Sequence, residues 1–509
     1  MSNSIRVRFA PSPTGPLHMG GVRTALYNYL FAKKAGGTFV LRIEDTDQTR
    51  YVANAEKYIM DSLKWCGISP DESPENPGTF GPYRQSERKA MYMKYALELI
   101  EKRWAYYAFD SAESIAEKRN AAEKTGQTFQ YDATSRKQMK NSESLPTDEV
   151  EKLKSEGNWV IRFKMPDDVT VKFQDLIRGE VQFESKLLDD KVLIKADGMP
   201  TYHLANIVDD HLMDISHVIR GEEWLPSAPL HHLLYQAFGW TAPKFAHLPL
   251  ILKPTGNGKL SKRDGQKGGF PVFPLAYQDE KTGETLNGYR ENGYLPEAFL
   301  NMLLMLGWNP GTEQELFGLE EAVQAFSLKR VVKSGARFNP EKAAWFNEQH
   351  LRGTSRNALA EALLPGIELK GYKADIAKAK EMVNMLLDRV QFLHEMIDAS
   401  YLFQAPTEFD AKTKKKKWKE HTSEIITGLW NSLSEIPDWT AENIETTFKG
   451  YMEEKELGFG QILPGFRLLL TGLGGGPSVF EIAAFIGKEE TETRINNGLE
   501  IAKEWVECM

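Results

Sequence analysis

Cysteine is nearly absent from this chain, whose 509 residues include only Cys66 and Cys508. The two lie far apart in sequence and lack the paired spacing of a zinc-binding cluster or a disulfide framework. We therefore expect a protein of a reducing compartment, in which both cysteines act as small apolar residues.

Long apolar runs are missing as well. No segment approaches the roughly 20 apolar residues that a helix needs to cross a bilayer. The opening residues, Met1 to Ala10, also lack the apolar stretch of a secretory signal. These absences predict a cytoplasmic protein without a membrane partner.

An excess of positive charge is also lacking, because the formal net charge is −8. A surface that coats nucleic acid generally is therefore disfavoured, and a nucleic-acid partner would need local clusters of Lys and Arg. The sharpest such cluster runs from Lys412 to Lys419 and includes Trp418. Its lysines suit phosphate and its indole suits stacking on an unpaired base, but a solvated helix surface explains the same pattern equally well.

What is present indicates several packed domains. Apolar residues make up 41% of the chain, which supplies several buried cores. The length also exceeds that of one ordinary domain. A multidomain soluble protein is the expectation.

The first 43 residues show the pattern of a βαβ unit. Apolar and charged residues alternate from Ile5 to Phe9, as in a strand, and a turn rich in proline follows. From Gly21 apolar residues recur at helical spacing until Gly36 and Gly37, and Thr38 to Ile43 then predicts a second strand. Mixed α and β signals continue to about residue 325 with a polar insertion at 113–158, whereas the rest of the chain has helical patterns. The predicted fold class is α/β with a parallel sheet, followed by an all-α half.

Two loops carry residues suited to a nucleotide. The sequence His18-Met19-Gly20-Gly21 stands where the first strand gives way to a helix, so phosphate can approach backbone amides and an imidazole can donate to it. The sequence Lys259-Leu260-Ser261-Lys262-Arg263 lies in a polar loop rich in glycine. Its two lysines suit negative charge that builds at phosphorus. A structural loop histidine and a solvated basic loop are the alternatives.

A cluster of acids, Glu44 to Asp47, follows the second predicted strand. Ligands of parallel sheets bind beyond the carboxyl ends of strands, and a carboxylate there suits an ammonium group. Asp45 or Asp47 can instead cap the next helix while Glu44 points inward, and both interpretations can hold together.

The run from Arg8 to Gly21 resembles the first signature of the glutamyl-tRNA synthetases within the class I family. Lys259 to Arg263 resembles the lysine signature of the class, and the segments Asp197–Asn206 and His217–Glu223 resemble the second half of the family's catalytic site. The chain departs from the general class I pattern at Gly21, where a second histidine is usual.

The resemblance implies a role for individual residues. Those expected to contact glutamate are Arg8, Ser12, Glu44, Tyr202, Asn206 and Arg220. Those expected to contact ATP are His18, Gly20, Gly21, Glu223, Leu252 through its backbone, Lys259, Ser261 and Lys262, with His18, Lys259 and Lys262 as the catalytic groups. No role is assigned to His203, His211 or His217, which we expect to be packed or capping residues. ATP is expected to arrive with Mg²⁺, and no zinc is expected because the insertion has no cysteine.

The resemblance also implies a domain order and partners. The expected order is a Rossmann-like catalytic domain at 1–109 and 191–255, an acceptor-stem-binding insertion at 110–190, the lysine loop with a helical connecting domain at 256–335, and a helical anticodon-binding region at 336–509. The expected partners are tRNA(Glu), L-glutamate and, left open, tRNA(Gln), for a chain expected to be a monomer. A glutaminyl enzyme and a noncatalytic tRNA-binding paralogue remain as alternatives. The stretch 265–287 is longer than the family pattern leads us to expect and has no assigned function.

Overall fold

The computed structural model describes residues 4–279 and 283–507, so Cys508 lies outside the described residues. The strands are β1 (Arg6–Phe9), β2 (Thr38–Leu41), β3 (Ala105–Ala108), β4 (Val160–Phe163), β5 (Thr170–Asp175), β6 (Gly179–Glu184), β7 (Val192–Ile194), β8 (His217–Gly221), β9 (Lys244–Leu248), β10 (Ile251–Leu252), β11 (Tyr277–Gln278), β12 (Thr285–Leu286) and β13 (Ala336–Arg337). The α-helices are α1 (Met19–Lys34), α2 (Ala55–Trp65), α3 (Lys89–Glu101), α4 (Ala112–Lys124), α5 (Thr147–Glu156), α6 (Tyr202–Leu212), α7 (Ala228–Phe238), α8 (Lys262–Gly268), α9 (Pro296–Met305), α10 (Leu319–Ala325), α11 (Pro340–Gly353), α12 (Arg356–Leu369), α13 (Ile376–Leu386), α14 (Ala411–Lys417), α15 (Thr422–Ser434), α16 (Ala441–Glu454), α17 (Phe459–Thr471), α18 (Val479–Ile486) and α19 (Lys488–Glu507). Short 3₁₀ helices span Gln48–Arg50, Gln85–Arg88, Ser135–Gln138, Ser185–Leu187, Glu222–Ser227, Leu328–Arg330, Leu387–Arg389, Leu393–Asp398 and Ser400–Leu402.

The predicted βαβ unit is present at the start of the described chain. Strands β1 and β2 pair in parallel, with Arg6 opposite Thr38, and α1 connects them. The helix ends just before Gly36, whose positive φ of 60° suits glycine. All four residues of β1 are buried, including its two arginines, so this strand runs through the interior.

A second, four-stranded sheet lies further along the first 250 residues. Its order is β6-β5-β9-β8, with β5 and β8 parallel to β9 and β6 antiparallel to β5. The sheet is therefore mixed rather than wholly parallel. Ser216, just before β8, ties this sheet to β1 because its backbone N–H donates to the Arg6 carbonyl at 2.9 Å. The carboxyl ends of β1 and β8 consequently open on the same side.

The chain divides into two compact units, Met1–Phe346 and Asn347–Met509. The second unit is helical, as predicted, and β13 at Ala336–Arg337 is the one short strand after residue 326 in the described part of the chain. Within residues 4–279 and 283–507, no helix has both the length and the apolar character needed to span a membrane.

Two expectations about side chains have opposite outcomes. Cys66 is buried and unpaired, as expected for a small apolar residue. The stacking role considered for Trp418 is wrong, because its side chain is 1% exposed and lies 4.8 Å from the ring of Trp505, centroid to centroid, in the core of the second unit. Lys415 and Lys416 beside it are exposed, so only the charges of this cluster face solvent.

Candidate active site

A cavity of about 700 Å³ opens at the carboxyl ends of β1 and β8. It brings together every predicted site residue except Leu252, namely Arg8, Ser12, His18, Gly20, Gly21, Glu44, Tyr202, Asn206, Arg220, Glu223, Lys259, Ser261 and Lys262. Leu252 lies one residue beyond the lining residue Ile251, and its carbonyl accepts the Phe338 N–H at 3.0 Å. Residues far apart in sequence thus share one site.

His18 caps the helix that forms one wall of the cavity. Its Nδ1 accepts the backbone N–H of Gly20 at 3.1 Å, which satisfies one free donor at the start of α1. Because Nδ1 accepts, the proton of the neutral ring sits on Nε2, where it can be donated into the cavity. Desolvation and then the Lys259 ammonium lower the pKa of His18, so the neutral form is favoured.

Close packing explains the two glycines that follow His18. A Cβ on Gly20 would stand 3.0 Å from Cε1 of the His18 ring. A Cβ on Gly21 would clash with Cδ1 of Leu17. A histidine at Gly21, as in the general class I pattern, would therefore require Leu17 to move.

Residues Lys259 to Lys262 of the lysine loop line the same cavity, although they are far from His18 in sequence. Lys259 Nζ forms an ion pair with Glu223 Oε1 at 2.8 Å, and both side chains are more than 40% exposed, at 45% and 42%. Ser261 caps α8 through a capping box with Asp264. Lys262 Nζ stands 3.5 Å from Asp279 Oδ2. Exposed ion pairs such as these are worth about 1 kcal/mol or less, so both ammonium groups can exchange these partners for a ligand.

Glu44 is the buried carboxylate of the cavity, at 5% exposure. Its Oε1 accepts from Arg42 Nη2 at 3.0 Å and from Asn206 Nδ2 at 3.2 Å. Burial raises the pKa of Glu44, and the charges of Arg42 and Arg8 oppose that shift. The Asn206 Oδ1 atom is buried and has no hydrogen-bond partner among the residues that the structure describes, which leaves an acceptor for a ligand.

Arg8 and Arg42 share one carboxylate deep in the wall. Arg8 donates to Asp210 through Nε at 3.0 Å and Nη2 at 3.2 Å, and Arg42 Nη1 donates to Asp210 Oδ1 at 2.8 Å. Burial raises the pKa of Asp210, but the two arginines outweigh it and leave that pKa below its usual value. The charge of both arginines is thus met within the protein.

Arg220 has a different environment at the end of β8. Its Nε donates to His247 Nε2 at 3.1 Å, and its Nη1 donates to Tyr202 Oη at 3.1 Å and contacts His231 Nδ1 at 3.1 Å. Among the described residues, its Nη2 bonds only the Trp224 carbonyl, at 3.4 Å. This guanidinium is 4% exposed yet lines the cavity.

Comparison with known proteins identifies this constellation. The family described as tRNA synthetases class I (E and Q), catalytic domain, matches residues 4–345, and an anticodon binding domain family matches residues 358–499. The chain belongs to the class I tRNA synthetase family for glutamate and glutamine. The structure has the fold of that family, with a mixed sheet that includes parallel strands and a helical C-terminal region.

Close relatives span the whole chain. A glutamate–tRNA ligase of Christiangramia forsetii is 55% identical over 505 residues, which cover 99% of this chain and 100% of the relative. The enzyme of the same name from Flavobacterium psychrophilum is 56% identical over 502 residues, 98% of this chain and 99% of its own. A crystal structure of a glutamate tRNA ligase from Elizabethkingia meningosepticum in complex with its amino acid has a TM-score of 0.96 at 50% identity, with 98% of this chain and 99% of that chain covered.

Some expectations about this family site are corrected by the structure. Neither Asp45 nor Asp47 caps the helix that follows, because α2 begins after Asn54 and the side chain of Asp47 makes no capping bond to the short helix at Gln48–Arg50. Asp45 instead accepts the Ser86 backbone N–H at 2.8 Å. Tyr202 and Asn206 share one face of α6, as predicted.

The histidines left without a chemical role are packed, as expected. His211 stacks on Trp240 with ring centroids 3.8 Å apart, and His217 Nδ1 lies 2.9 Å from Ser216 Oγ. His203 contacts His231, with Nδ1 and Nε2 3.2 Å apart. None of these three lines the cavity.

Sequence reasoning missed the groups that hold the arginines. Asp210 and Arg42 have no role in the sequence prediction, although Asp210 bonds both Arg8 and Arg42. Trp224, whose ring centroid lies 4.2 Å from that of Tyr202, has none either. The one available signal was charge: three arginines in predicted buried segments require partners, and Asp209-Asp210 was the acidic pair at hand.

Proposed function

We propose that this chain is a glutamate–tRNA ligase, which activates L-glutamate with ATP and transfers it to the 3′-terminal adenosine of tRNA(Glu). The observation that carries the proposal is the single cavity in which a helix N-terminus, two lysines and a buried guanidinium meet. The helix N-terminus and the lysines suit phosphate, and the guanidinium suits a side-chain carboxylate. The names of the close relatives support the same activity.

In the first step, an oxygen of the glutamate α-carboxylate attacks the α-phosphorus of ATP, and pyrophosphate leaves as glutamyl-adenylate forms. No general base is needed, because the nucleophile is already ionised. Lys259 and Lys262 stabilise charge on the departing phosphates, and the Nε2–H group of His18 donates a hydrogen bond to a phosphate oxygen. Gly20, Gly21 and Ser261 keep the wall of this subsite close to the nucleotide, and Glu223 completes it. A nucleotide contact from the backbone of Leu252, which lies one residue beyond the lining, stays a prediction.

The amino acid lies in the inner part of the cavity under this proposal. Glu44 faces the α-ammonium group, and the free Oδ1 of Asn206 accepts from it. The Tyr202 hydroxyl and Arg220 Nη2 receive the side-chain carboxylate, because Nε and Nη1 of Arg220 already donate within the protein while Nη2 has only the long contact to the Trp224 carbonyl among the described residues. Arg8 and Ser12 line the same region and orient the α-carboxylate.

Magnesium enters with the nucleotide. The described residues, 4–279 and 283–507, contain no group of three or more His, Cys, Asp or Glu side chains placed to hold a metal ion. We propose that phosphate oxygens and water supply most ligands of Mg²⁺, because this ion tends to keep several water ligands and to bind substrate phosphates. The ion neutralises phosphate charge when bound. The absence of zinc stays a prediction, which metal analysis of the purified protein tests.

The tRNA is expected to contact several regions of the chain. We propose that residues 110–190 bind the acceptor stem and that residues 336–509 read the anticodon. Residues 256–335 connect the catalytic region to the anticodon-binding region. In the second step, a ribose hydroxyl of the terminal adenosine attacks the activated carbonyl and AMP leaves. A monomeric, cytoplasmic enzyme is part of the proposal, and tRNA(Gln) is a possible second substrate.

Pyrophosphate exchange tests the activity directly. With ATP, L-glutamate and tRNA present, labelled pyrophosphate should enter ATP. No exchange under these conditions would refute the proposal and favour a noncatalytic paralogue. Efficient exchange and charging with glutamine in place of glutamate would indicate a glutaminyl enzyme, which the names of the relatives disfavour. Charging purified tRNA(Glu) and tRNA(Gln) in parallel defines the tRNA range.

A further inference from the structure

The arginines around the cavity differ in what neutralises them. Arg8 and Arg42 each form ion pairs with the Asp210 carboxylate, and Arg42 also pairs with Glu44. Arg220 forms no ion pair with a carboxylate in the described parts of the chain, and its contacts are two imidazoles, a phenol and a carbonyl. The buried guanidinium of Arg220 therefore keeps its charge uncompensated at short range, as does that of Arg23 elsewhere in the cavity wall, which donates to the carbonyls of Leu306 and Pro249.

Two chains of hydrogen bonds, which we call arms, start at the Arg220 guanidinium. The first arm runs through His247 to Asp175 across three neighbouring strands. Arg220 on β8 stands opposite His247 on β9, and β9 pairs in parallel with β5, which ends at Asp175. The Arg220 Nε–H donates to His247 Nε2 at 3.1 Å, so the ring proton is on Nδ1, which lies 2.6 Å from Asp175 Oδ2. Asp175 thus fixes the tautomer that lets His247 accept.

Asp175 is itself firmly placed. Its other oxygen, Oδ1, accepts the backbone N–H groups of Ile177 at 2.9 Å and Arg178 at 2.8 Å. Both Asp175 and His247 are fully buried or nearly so, at 1% and 0% exposure. A residue from the segment expected to bind the acceptor stem therefore supports a residue of the amino acid subsite.

The second arm runs through helices. His231 on α7 presents Nδ1 to Arg220 Nη1, and because this nitrogen accepts, Nε2 carries the proton. That Nε2 lies 3.2 Å from His203 Nδ1 on α6, which accepts it. Every bond in both arms thus points outward from the guanidinium, and both imidazoles that accept directly from it are neutral; the Asp175 carboxylate at the end of the first arm bonds His247 and not Arg220.

Burial and charge favour neutral rings in both arms. Desolvation, followed by the charge of Arg220, lowers the pKa of His231 well below its usual value. Desolvation also lowers the pKa of His247, although its bond to Asp175 opposes that shift. A carboxylate in place of either ring would pair with Arg220 and weaken its attraction for a substrate anion.

We propose that Asp175, His247 and His231 are positioning residues that hold Arg220 through neutral acceptors, so that its charge selects a side-chain carboxylate over a carboxamide. This inference rests on the proposed function, since it names what tunes the amino acid subsite of that enzyme. It assigns selectivity to groups that do not touch the substrate. The effect acts through the charge and direction of Arg220.

Two substitutions at His231 separate charge from shape. In H231N, the amide oxygen can take the position of Nδ1 and accept from Arg220 without charge. In H231D, an oxygen takes the same position but carries a negative charge. We expect H231N to keep the ratio of kcat/KM for glutamate to that for glutamine within about fivefold of the unmodified enzyme, and H231D to lower that ratio about a hundredfold.

A substitution at Asp175 reverses the tautomer. In D175N, the amide NH₂ donates to His247 Nδ1, so Nε2 carries the proton and faces the Arg220 N–H. Two donors then oppose each other, and we expect kcat/KM for glutamate to fall by about tenfold to a hundredfold. The KM for ATP should change less than about twofold, because the nucleotide subsite is separate. D190N is the matched control, since Asp190 is also fully buried but bonds Tyr106 at 2.6 Å and does not line the cavity.

Pyrophosphate exchange with tRNA present reads out all variants, alongside thermal unfolding. If the unmodified protein shows no exchange with glutamate, the proposed function fails. If it is active but H231D keeps the selectivity of H231N, or D175N matches D190N in kcat/KM for glutamate, the positioning role is refuted. Should one variant not fold, the other arm still decides, because α7 and β5 carry the two tests independently.

Discussion

The two halves of the cavity are built in different ways. The nucleotide half combines the start of α1 with a loop whose Lys259 makes an exposed ion pair, with Lys259 45% and Glu223 42% exposed. The amino acid half lies on β1, β8 and α6, and its charged groups are nearly fully buried, as with Arg8 at 3% and Arg220 at 4%. One half can exchange partners at little cost, whereas the other is held in a fixed network.

This contrast assigns different work to the two halves. A buried site with fixed donors discriminates between ligands, because a mismatched group leaves polar atoms unpaired. Exposed ammonium groups that leave one carboxylate for a phosphate stabilise charge as it develops. We therefore expect substitutions in the inner half to change the KM for glutamate and substitutions in the loop to change kcat.

The largest effect is expected for Arg220→Leu. The bond from Nη2 to the substrate carboxylate is lost and a buried charge is left unpaired, which costs roughly 4 kcal/mol, or about a thousandfold in kcat/KM for glutamate. The KM for ATP should stay within about threefold. Steady-state exchange kinetics measure both.

The control for that variant is Arg220→Lys, which keeps the charge but loses the planar fork. We expect it to recover part of the activity and to remain well below the unmodified enzyme. If Arg220→Leu raised the KM for ATP by as large a factor as it lowered kcat/KM for glutamate, the two halves of the cavity would not be functionally distinct.

The next effect is expected for Lys259→Ala. Removal of one group that stabilises transition-state charge lowers kcat by about a hundredfold, while the KM for glutamate should change little. Lys267→Ala is the matched control, because Lys267 is an exposed lysine of α8 that does not line the cavity. A rise in the KM for glutamate with unchanged kcat would contradict the assignment.

A smaller effect is expected from pH. Burial raises the pKa of Glu44, so this carboxylate takes up a proton at a higher pH than an ordinary glutamate and then attracts the α-ammonium less. The KM values for glutamate and glutamine should therefore rise together as pH falls.

Their ratio behaves differently. The pKa values of His231 and His247 are lowered from the usual imidazole value, so both rings keep the neutral form to a lower pH than an ordinary histidine does. The ratio of the two KM values should then show no change centred on the ordinary imidazole pKa. A ratio that shifts by more than about threefold near pH 6.5, where an ordinary histidine titrates, would contradict the neutral environment of Arg220.

The fold was largely predictable because local patterns and tertiary contacts agree. Apolar periodicity and the glycines at 36 and 37 predicted α1 closely, and the helical patterns predicted the second unit. Pairing was less accessible, since nothing in Thr170 to Asp175 shows that this strand joins β9 in a mixed sheet. The stacking role considered for Trp418 is wrong because the sequence shows that an indole is present but not which way it faces.

The cavity was predictable where a motif placed residues on one loop. His18, Gly20 and Lys259 belong to contiguous signatures, and they do line the site. The groups behind the arginines were not predictable, because Asp175, His231 and His247 come from separate elements that only the folded chain brings to Arg220. Which charge is compensated is a property of the packed structure.

Equilibrium binding of glutamate to a Lys259→Ala/Lys262→Ala double variant tests the division of work most directly. Titration calorimetry compares its Kd for L-glutamate with that of the unmodified protein. The account predicts the same Kd within about twofold, because the amino acid half has its own buried network and contains neither lysine. A Kd weakened tenfold or more would show that the two halves act as one unit and would contradict the account.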